Sequence, residues 1–396
     1  MKAVIAGGGI GGLGAAISLA LKDWEVLVLE QAPELTEIGA GLQISPNGWK
    51  VLDAMGVTPL IADALFEPEA IEMRVGKSGR TIFRLPMRAA ARHRWGAPYI
   101  HIHRADLHEA LAKRLQQLQP DAVQTASEVE GYSPIGEQVR VRLKGGRTRD
   151  ADLLVGADGL HSIIRHQMLG ADAPHYTGNL AWRAVVPAER LGIDAPPPSA
   201  CIWVGEGKHA VTTRLRGGHL VNFVGMVEQS APSEEGWRVE GSRDDARRDF
   251  DGWHPTIGII LDKADTLHRW ALFDREPLPQ WHDGRVVLLG DAAHPMMPSM
   301  AQGAVQALED GWMLGGMLAR FGTLAEGLAA FYAARLPRTG RIQRVSAANA
   351  RMFHQASFLG KTLFYGPMAI GARILPGLIH RRQDWVYGYD AVSAVA

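Results

Sequence analysis

A run of glycines near the start of the chain constrains the fold more than any other feature of the sequence. The segment GGGIGG places Gly7, Gly9 and Gly12 in the spacing GxGxxG, directly after the apolar stretch KAVIA. A helix pattern follows over residues 10–22, and EVLVLE over residues 25–30 has the composition of a second buried strand. Strand, helix and strand in this order form a βαβ unit, so the sequence predicts a parallel sheet.

The same segment predicts a dinucleotide site. The first glycine permits a tight turn, the second lets the backbone approach a pyrophosphate, and the third lets the helix pack on the strand. The phosphates then meet free N–H groups at the helix N-terminus. Glu30, at the end of the second strand, is an acceptor for ribose hydroxyls. The uncharged run also has the outline of a signal peptide, but its six glycines are clustered and a second strand follows, which favours nucleotide binding.

The bulk composition excludes several classes of function. Lys plus Arg and Asp plus Glu number 42 each, so no overall basic surface indicates a nucleic-acid partner. Cys201 is the single cysteine, which excludes an internal disulfide and a cysteine-built metal site and predicts a reducing, cytoplasmic location. Beyond the glycine-rich start no uncharged segment is long enough to span a bilayer, so we expect no integral membrane contact.

The order of the elements predicts an α/β fold with a discontinuous nucleotide-binding domain. Buried-strand patterns return at DADLLVGADG and RVVLLGDAAH, whereas HAVTTRL and HLVNFVGMV resemble antiparallel strands of a mixed sheet. We expect a Rossmann-like domain of the three-layer ββα type, an inserted mixed β-sheet domain that binds substrate, and C-terminal helices. The expected ranges are 1–70, 100–175 and 270–345 for the nucleotide-binding domain, 71–99 and 176–269 for the substrate domain, 346–396 for the helical segment, and helices over 104–118 and 340–380.

Two further segments place polar residues at the ends of buried strands. ADLLVGADGLHSIIR puts Asp158, Gly159 and Arg165 after one strand, and LLGDAAHP puts Asp291 and His294 after another. An NAD-dependent dehydrogenase would need neither segment. The spacing of Asp291 and His294 could hold a metal, but no third ligand lies nearby, so we expect no metal and expect His294 to bond the backbone of its own turn. A simple turn aspartate is an alternative interpretation of Asp158.

Together with the glycine-rich turn, these segments resemble those of the single-component (class A) FAD-dependent aromatic hydroxylases. That family includes salicylate hydroxylase, 3-hydroxybenzoate 6-hydroxylase and 6-hydroxynicotinate 3-monooxygenase, and the resemblance extends from Gly7 to the C-terminal WVYGYD. It implies FAD as cofactor, NADH or NADPH as co-substrate with NADH favoured by analogy, and a homodimer. In this family reduced flavin and O2 give a C4a-hydroperoxide, which hydroxylates a phenolic or hydroxypyridine acid with or without loss of a carboxylate.

The resemblance assigns cofactor roles to matching positions. The Asp158-Gly159 pair corresponds to an element that serves FAD and nicotinamide, and the Gly-Asp pair at Asp291 to one that meets the ribityl hydroxyls. Arg104 matches an arginine that contacts the FAD phosphates. Gln302 begins a loop around N1 and O2 of the flavin ring, where a helix N-terminus stabilises negative charge, and we assign it to catalysis. The expected FAD contacts are Gly7, Gly9, Gly12, Glu30, Arg104, Asp158, Asp291, Gly303 and Ala304.

The inserted sheet is expected to supply a base. His209 begins the strand pattern HAVTTRL and matches the histidine that deprotonates the phenol in relatives, a task that suits a pKa near neutrality. A surface histidine at a strand end is the alternative. Relatives often carry a tyrosine four residues further on, where this chain has Thr213. Cys201 matches a position that lines the pocket in some relatives, and a small core thiol is an equal alternative.

Four more positions are candidates for contact with the substrate. Arg183 either anchors a carboxylate or pairs within the sheet. Some relatives have histidine in place of Asn47 or Ser299, so the resemblance implies substrate contacts of this chain's own. Met297 and the two other methionines of HPMMPSM either line an adaptable apolar pocket or belong to the core.

Three other functions fit the sequence less well than hydroxylation does. A flavin-dependent halogenase needs the pattern WxWxIP, and this chain has WRAVVP without the second tryptophan. A dehydrogenase would leave the Asp158 and Asp291 segments unexplained. A flavin-fold protein that carries a hydrophobic ligand without catalysis is disfavoured by the intact Asp291 and by the apparent base.

Overall fold

The computed structural model describes residues 1–35, 40–170, 173–230, 239–354 and 376–396. The strands in chain order are β1 Lys2–Ala6, β2 Glu25–Leu29, β3 Gly41–Ile44, β4 Ala70–Val75, β5 Thr81–Pro86, β6 Ile100–His103, β7 Val123–Gln124, β8 Val129–Ile135, β9 Gln138–Leu143, β10 Thr148–Ala151, β11 Leu153–Gly156, β12 His175–Pro187, β13 Ala200–Gly205, β14 Lys208–Leu215, β15 Leu220–Glu228, β16 His268–Asp274, β17 His282–Asp283 and β18 Val286–Leu288. The helices are α1 Ile10–Ala20, α2 Pro46–Ala54, α3 Thr58–Ile61, α4 Arg88–Trp95, α5 Arg104–Leu118, α6 Ile163–Leu169, α7 Arg243–Asp249, α8 Pro255–Lys263, α9 Gly303–Arg320, α10 Leu324–Phe353 and α11 Pro376–Tyr387.

A mostly parallel sheet forms the centre of the first domain, as the sequence predicts. Its strand order is β17-β18-β11-β1-β2-β7, and only the β17–β18 pair is antiparallel. Helix α1 packs closely on α9 because glycines on α9 leave no side chain between them. A Cβ at Gly311 would lie 2.6 Å from the backbone nitrogen of Ala15, and one at Gly315 would lie 2.3 Å from the hydroxyl of Ser18.

The order of the central strands positions the site. β18, β11 and β1 are neighbours and run parallel, so their carboxyl ends meet at one edge of the sheet. Gly7, Asp158 and Asp291 follow these three strands within three residues of each strand's end. Ligands bind in open α/β sheets outside the carboxyl ends of the strands, so this edge is where a cofactor is expected.

A seven-stranded mixed sheet forms the second domain, in the order β16-β12-β15-β14-β13-β4-β5. Only β13 and β4 pair in parallel. One face packs on α7 and α8 through a core that includes Trp182, Trp203, Phe223 and Phe250. The strands come from two separated parts of the chain, and β16 crosses the expected domain boundary at residues 269 and 270.

Two expectations about local structure need correction or qualification. DADLLVGADG was expected to form one strand, but it contributes to both β10 and β11, which belong to different sheets. Between them the Asp152 carboxylate accepts a hydrogen bond from the Lys2 amide at 2.8 Å, at the point where the chain passes between the sheets. Within residues 340–380, α10 and α11 contain 340–353 and 376–380, while 355–375 lie outside the described residues. None of the helices in the described ranges is both long and apolar enough to cross a bilayer.

Candidate active site

The turn after β1 leaves room for a phosphate-bearing group. Gly7 has a φ of +105°, and a Cβ there would lie 2.4 Å from the carbonyl oxygen of Ala157. A Cβ at Gly12 would lie 2.0 Å from the Gly7 carbonyl oxygen, so the fold itself requires both glycines. A Cβ at Gly9 would instead meet no atom within 4 Å. Gly9 is the N-cap of α1, whose first turn has no acidic residue, so the open space fits a pyrophosphate.

Glu30 joins this turn to the end of β2. One carboxylate oxygen accepts from the Gly8 amide and the other from the Ala32 amide, both at 2.8 Å. The ring of His108 bonds the Gly8 carbonyl at 2.7 Å from the other side. A carboxylate has about four acceptor positions, so two amide bonds leave capacity for ribose hydroxyls.

The loops after β11 and β18 are tied together. Asp158 accepts from the Ile164 amide through Oδ2 at 3.2 Å, while its Oδ1 is buried without a hydrogen-bond partner among the described residues. Burial raises the pKa of Asp158, and hydrogen bonds from the following turn oppose the rise. The guanidinium of Arg165 donates to the carbonyls of Leu160 at 2.6 Å and Ala292 at 3.0 Å. An unsatisfied acceptor at this edge fits a donor from a ligand.

Asp291 lies at the same edge, in the 3-10 turn Gly290–Ala292. The residue is exposed to solvent, but the protein atoms packed around its carboxyl desolvate it and raise its pKa. The charges of His294 and Arg104 oppose this rise in pKa. Arg104, the first residue of α5, therefore lies close enough to Asp291 to interact with its charge. The structure thus brings together two residues that the sequence assigned to FAD.

The chain runs from Asp291 to the N-terminus of α9. Gln302 is the N-cap, and Ala301 before it adopts the left-handed conformation with φ +51°. Gly303 and Ala304 are half-buried in the first turn, which contains no acidic residue. A helix of 18 residues presents partial positive charge at this end, which suits a group that becomes negative when reduced.

His209 lies on the face of β14 directed toward the first domain. Val204, opposite it on β13, belongs to an apolar cluster with Tyr99 and Phe353, and Met300 packs against this cluster. His209 is only 2% exposed, so the surface-histidine alternative does not describe it. Burial lowers the pKa of His209 well below its usual value, and the neighbouring His354 lowers it further. The ring is therefore neutral at pH 7.

Side chains alternate along a strand, so Thr213 shares the His209 face and Thr212 does not. The Thr213 hydroxyl accepts from Asn222 at 3.2 Å. Cys201 pairs with Thr212 and is completely buried in the core beneath α7 and α8. The structure therefore does not bring Cys201 to the His209 face, and its surroundings are those of the core thiol that the sequence left as an alternative.

Arg183 and Met297 lie on the first-domain side of the same sheet. The guanidinium carbon of Arg183 is 3.8 Å from the centre of the Trp270 ring, a cation–π contact. Trp270 packs with Met297 in a small apolar cluster. The Ser299 hydroxyl donates to the Ser346 carbonyl on α10, so this hydroxyl is engaged within the fold.

Comparison with known proteins agrees with this geometry. A family model described as "FAD binding domain" matches residues 1–345. The chain is 35% identical to 3-hydroxybenzoate 6-hydroxylase 1 of Aquipseudomonas alcaligenes, covering 98% of both chains. It is 35% identical to 6-hydroxynicotinate 3-monooxygenase of Pseudomonas fluorescens, covering 88% of this chain and 91% of the relative. The structure of Klebsiella pneumoniae HpxO complexed with FAD and uric acid superposes with a TM-score of 0.85 at 28% identity, covering 96% of each chain.

The chain belongs to the FAD-dependent aromatic hydroxylase family. It is therefore a flavoprotein monooxygenase, which confirms the main hypothesis over the dehydrogenase, halogenase and non-catalytic alternatives. The space at Gly9 and the unsatisfied oxygen of Asp158 are features that FAD and its co-substrate can fill.

A buried ionic cluster in the hydroxylase was not anticipated from the sequence. Arg335 is completely buried on α10 and bonds Glu309 at 2.6 Å and Asp310 at 2.7 Å, both completely buried on α9. Asp310 also bonds the His294 side chain at 2.5 Å. We expected this side chain to bond the backbone of its own turn, and this expectation was wrong. Burial alone would raise the pKa of both acids, but Arg335 and Arg338 leave the pKa of Glu309 lowered, and His294 and Arg335 leave that of Asp310 lowered. The sequence signal that could have indicated this cluster is the pair of adjacent acids, Glu309 and Asp310, within the otherwise apolar pattern of α9.

The cluster continues to two residues that the sequence placed in the substrate and catalytic sites. Asn47 donates to Glu309 at 2.7 Å and to Gln302 at 3.2 Å, and it accepts from Ser45 at 2.6 Å. Gln302 in turn donates to Ser45 at 2.8 Å and accepts from Gln306 at 3.0 Å. Both amide side chains are buried and bonded inside the protein, where they fix the start of α9. The Asn47 amide is therefore engaged within the fold, whereas the flavin contact expected at Gln302 concerns its backbone.

The open space at Gly9 gives a direct test of cofactor placement in the hydroxylase. Gly9→Ala is expected to fold normally, because the added methyl meets no protein atom within 4 Å. The methyl enters the space assigned to the pyrophosphate, so FAD should bind more weakly by about 1–3 kcal/mol, or roughly 10- to 100-fold. Equilibrium titration of the apoprotein with FAD measures the affinity, and thermal unfolding of the apoprotein checks the fold.

Gly12→Ala is the contrasting variant, because its Cβ would lie 2.0 Å from a backbone oxygen and destabilise the apoprotein itself. Unchanged FAD affinity in Gly9→Ala would contradict the assignment.

Proposed function

We propose that the enzyme hydroxylates a phenolic or hydroxypyridine aromatic acid, using NADH and O2. The names of the two relatives, which act on 3-hydroxybenzoate and 6-hydroxynicotinate, support this substrate class. The observation that carries the proposal is His209, a buried and neutral histidine on the sheet face directed toward the first domain. A neutral imidazole in this position is suited to accept a proton from a phenol.

The residues that would hold FAD follow from the edge of the parallel sheet. The N-terminus of α1 at Gly9 would receive the pyrophosphate, Glu30 a ribose, and Arg104 the phosphates. Asp291 would accept from the ribityl hydroxyls, and the first turn of α9 would lie at the flavin ring. Bound FAD supplies the electron transfer and oxygen activation that no side chain can provide.

The remaining steps depend on the protein's own side chains. His209 would remove the phenolic proton, which makes the ring carbons ortho and para to the oxygen more electron-rich. The apolar residues around Val204 and Met300 would exclude water from the reaction. Arg183, held over the Trp270 ring, would pair with the substrate carboxylate.

His209→Ala is expected to retain FAD and to lose hydroxylation of the substrate by about 100-fold or more, the range typical of a lost general base. His219→Ala serves as the matched control, because His219 is exposed near the other end of the same hairpin. The measurement is product formation under saturating NADH, with bound flavin quantified from its visible absorbance. An unchanged rate in His209→Ala would show that another group removes the proton.

A panel of hydroxylated benzoic and pyridine acids tests the substrate class. Each acid is added to the FAD-loaded enzyme with NADH or NADPH, and NAD(P)H oxidation, O2 uptake and product mass are followed together. A panel member that stimulates oxidation and gains one oxygen supports the proposal, and the product mass also reveals any loss of carboxylate. Stimulation by none of the phenolic or hydroxypyridine acids would contradict it.

We also propose that the enzyme works as a homodimer in the cytoplasm. The support is the family resemblance for the dimer, and for the compartment the single cysteine, Cys201, which is buried and unpaired. Light scattering of the FAD-loaded protein tests the oligomeric state, and a monomer mass at micromolar concentration would contradict the dimer.

A further inference from the structure

His209 is the inner end of a chain of three hydrogen-bonded side chains. Its Nδ1 lies 2.7 Å from Nε2 of His354, at the C-terminus of α10. Nδ1 of His354 lies 2.9 Å from a carboxylate oxygen of Glu228, the last residue of β15. The ring of Phe353 packs against His209 at 5.1 Å and restricts its orientation. Two adjacent strands, β14 and β15, and the end of α10, which lies 145 residues from His209 and 126 from Glu228, thus hold one continuous line of polar atoms.

This line of three hydrogen-bonded side chains leads from the interior of the protein to its surface. His209 is 2% exposed, the His354 side chain is 5% exposed, and the Glu228 side chain is 58% exposed. His354 and Glu228 also line a cavity of about 800 Å³. The other polar side chains that line this cavity include Thr177, Asn179, Asp274 and Arg351. A cavity of this size and polarity holds water, so a proton that reaches Glu228 reaches solvent.

The exposed carboxylate of Glu228 sets the direction of hydrogen-bond donation along these three side chains. An ionised carboxylate only accepts hydrogen bonds, so Nδ1 of His354 must be the donor to Glu228. In neutral His354 the other nitrogen, Nε2, is then an acceptor, and it accepts from Nδ1 of His209. Neutral His209 consequently has its lone pair on Nε2, the nitrogen remote from His354. This is the tautomer that a base requires, with its acceptor nitrogen free for the substrate.

Burial also makes His209 a poor place to store a proton. Desolvation, and then the proximity of His354, hold the pKa of His209 well below its usual value. A phenol titrates near pH 10, so transfer to an isolated His209 would be strongly unfavourable. If a proton leaves His209 on its other side at the same time, no charge is stored on the buried ring, and this part of the cost of transfer is removed.

We propose that His354 and Glu228 relay the phenolic proton from His209 to solvent, an inference that rests on the proposed function and adds two residues to it. When Nε2 of His209 takes the phenolic proton, its Nδ1 proton passes to Nε2 of His354. The Nδ1 proton of His354 passes to Glu228 and then to water. One phenolic O–H bond breaks, one proton reaches solvent, and each ring ends with the number of protons it had at the start.

The relay runs in the opposite direction when product leaves. Protonation of Glu228 from water returns a proton to Nδ1 of His354, whose Nε2 proton then passes back to His209. His209 gives its Nε2 proton to the phenolate oxygen of the product, and all three groups recover their first state. The cycle therefore needs no net proton and no co-reactant beyond those of the reaction.

The first test measures proton release without turnover. The oxidised FAD-loaded enzyme is mixed with 3-hydroxybenzoate in weak buffer, and a pH indicator follows the proton in a stopped-flow instrument. We expect His354→Leu to release the proton more slowly by about 10-fold or more, with little change in affinity for the acid. His354→Ala should be slow as well, and imidazole added to the buffer should restore its rate through the adjacent cavity. Asp274→Asn, which alters a charge in the same cavity without touching the chain, should match the wild type. Wild-type release rates in both His354 variants would overturn the relay.

The His209→Ala variant distinguishes failure of the proposed relay from failure of the proposed base. Loss of proton release in His209→Ala, together with wild-type release in the His354 variants, would leave the base intact and refute the relay. Wild-type release in His209→Ala would refute the proposed base itself.

The second test needs no substrate. Nitrogen NMR of FAD-loaded protein carrying isotopically labelled histidine reports which ring nitrogen of each histidine holds the proton, and His209→Ala identifies the His209 signal by its absence. We expect His209 to be protonated on Nδ1 in the wild type and to become a mixture of tautomers in His354→Leu. Glu228→Gln should shift the balance in the same direction, because it removes the charge that sets the direction of the chain. Protonation of His209 on Nε2 in the wild type would overturn the proposal.

Discussion

Asp291→Ala protein is expected to purify largely without FAD. Asp291 is accessible at the carboxyl edge of the parallel sheet and lies beside the charge of Arg104. We propose that it accepts hydrogen bonds from the ribityl chain, and such a bond to a charged acceptor contributes about 1.5–3 kcal/mol. Its loss corresponds to a roughly 10- to 100-fold higher dissociation constant for FAD. The ratio of visible to ultraviolet absorbance gives the occupancy, and titration of the apoprotein gives the affinity.

Asp283→Ala is the matched control for this experiment, because Asp283 is an exposed aspartate on β17, at the outer edge of the same sheet. It should purify with the flavin content of the wild type. Full occupancy and unchanged affinity in Asp291→Ala would show that Asp291 does not contact the cofactor.

Arg335→Met is expected to lower the free energy of unfolding by about 3–5 kcal/mol, the cost typical of removing one partner from a buried ion pair. Methionine retains much of the side-chain volume, but it leaves Glu309 and Asp310 buried with less compensation for their charge. The structure also predicts a loss of order at the start of α9, since Glu309 holds Asn47 and thereby Gln302. Urea denaturation followed by circular dichroism measures the change. Arg344→Met is the control, because Arg344 is exposed on the same helix.

The pH dependence of the difference in unfolding free energy between wild type and Arg335→Met distinguishes a loss of charge compensation from a loss of packing. The pKa values of Glu309 and Asp310 are lowered in the folded protein, so their contribution is present above their unfolded values near 4 and is lost as the pH falls through the folded values. In Arg335→Met the two buried carboxyls should instead have raised pKa values, so that protonation relieves the uncompensated charge. The difference in stability between wild type and variant should therefore shrink as the pH falls from 7 toward 4. A difference independent of pH would attribute the loss to packing alone.

The local features of the site could be predicted from the sequence because each depends on neighbouring residues. A glycine with a positive φ, an apolar strand and a helix N-terminus all leave their pattern within one short segment. The segments at Gly7, Asp158 and Asp291 therefore predicted a parallel sheet with polar residues at the ends of its strands, and the sheet confirms that arrangement. The helix over residues 104–118 was predicted with the bounds that α5 has in the structure.

Sequence reasoning was weaker where a side chain could face either of two directions. Asn47 matches a position near the substrate, but its side chain turns into a buried network with Gln302 and Glu309, which lie 255 and 262 residues further along the chain. Cys201 sits on a strand of the substrate sheet, yet the alternation along that strand places it on the face covered by α7 and α8. A shift of one position along a strand reverses the face, and no short pattern fixes it.

The sequence by itself determined the cofactor fold, the βαβ start and the polar residues that follow its strands, because periodicity and glycine spacing are local properties. Only the tertiary structure decided which of those residues meet. His209 lies 145 residues from His354, and Arg335 lies 25 residues from Asp310 on a different helix. Their pairing depends on how separate helices and strands pack. Burial removes water from these side chains, so each polar group must find its hydrogen-bond partner within the protein.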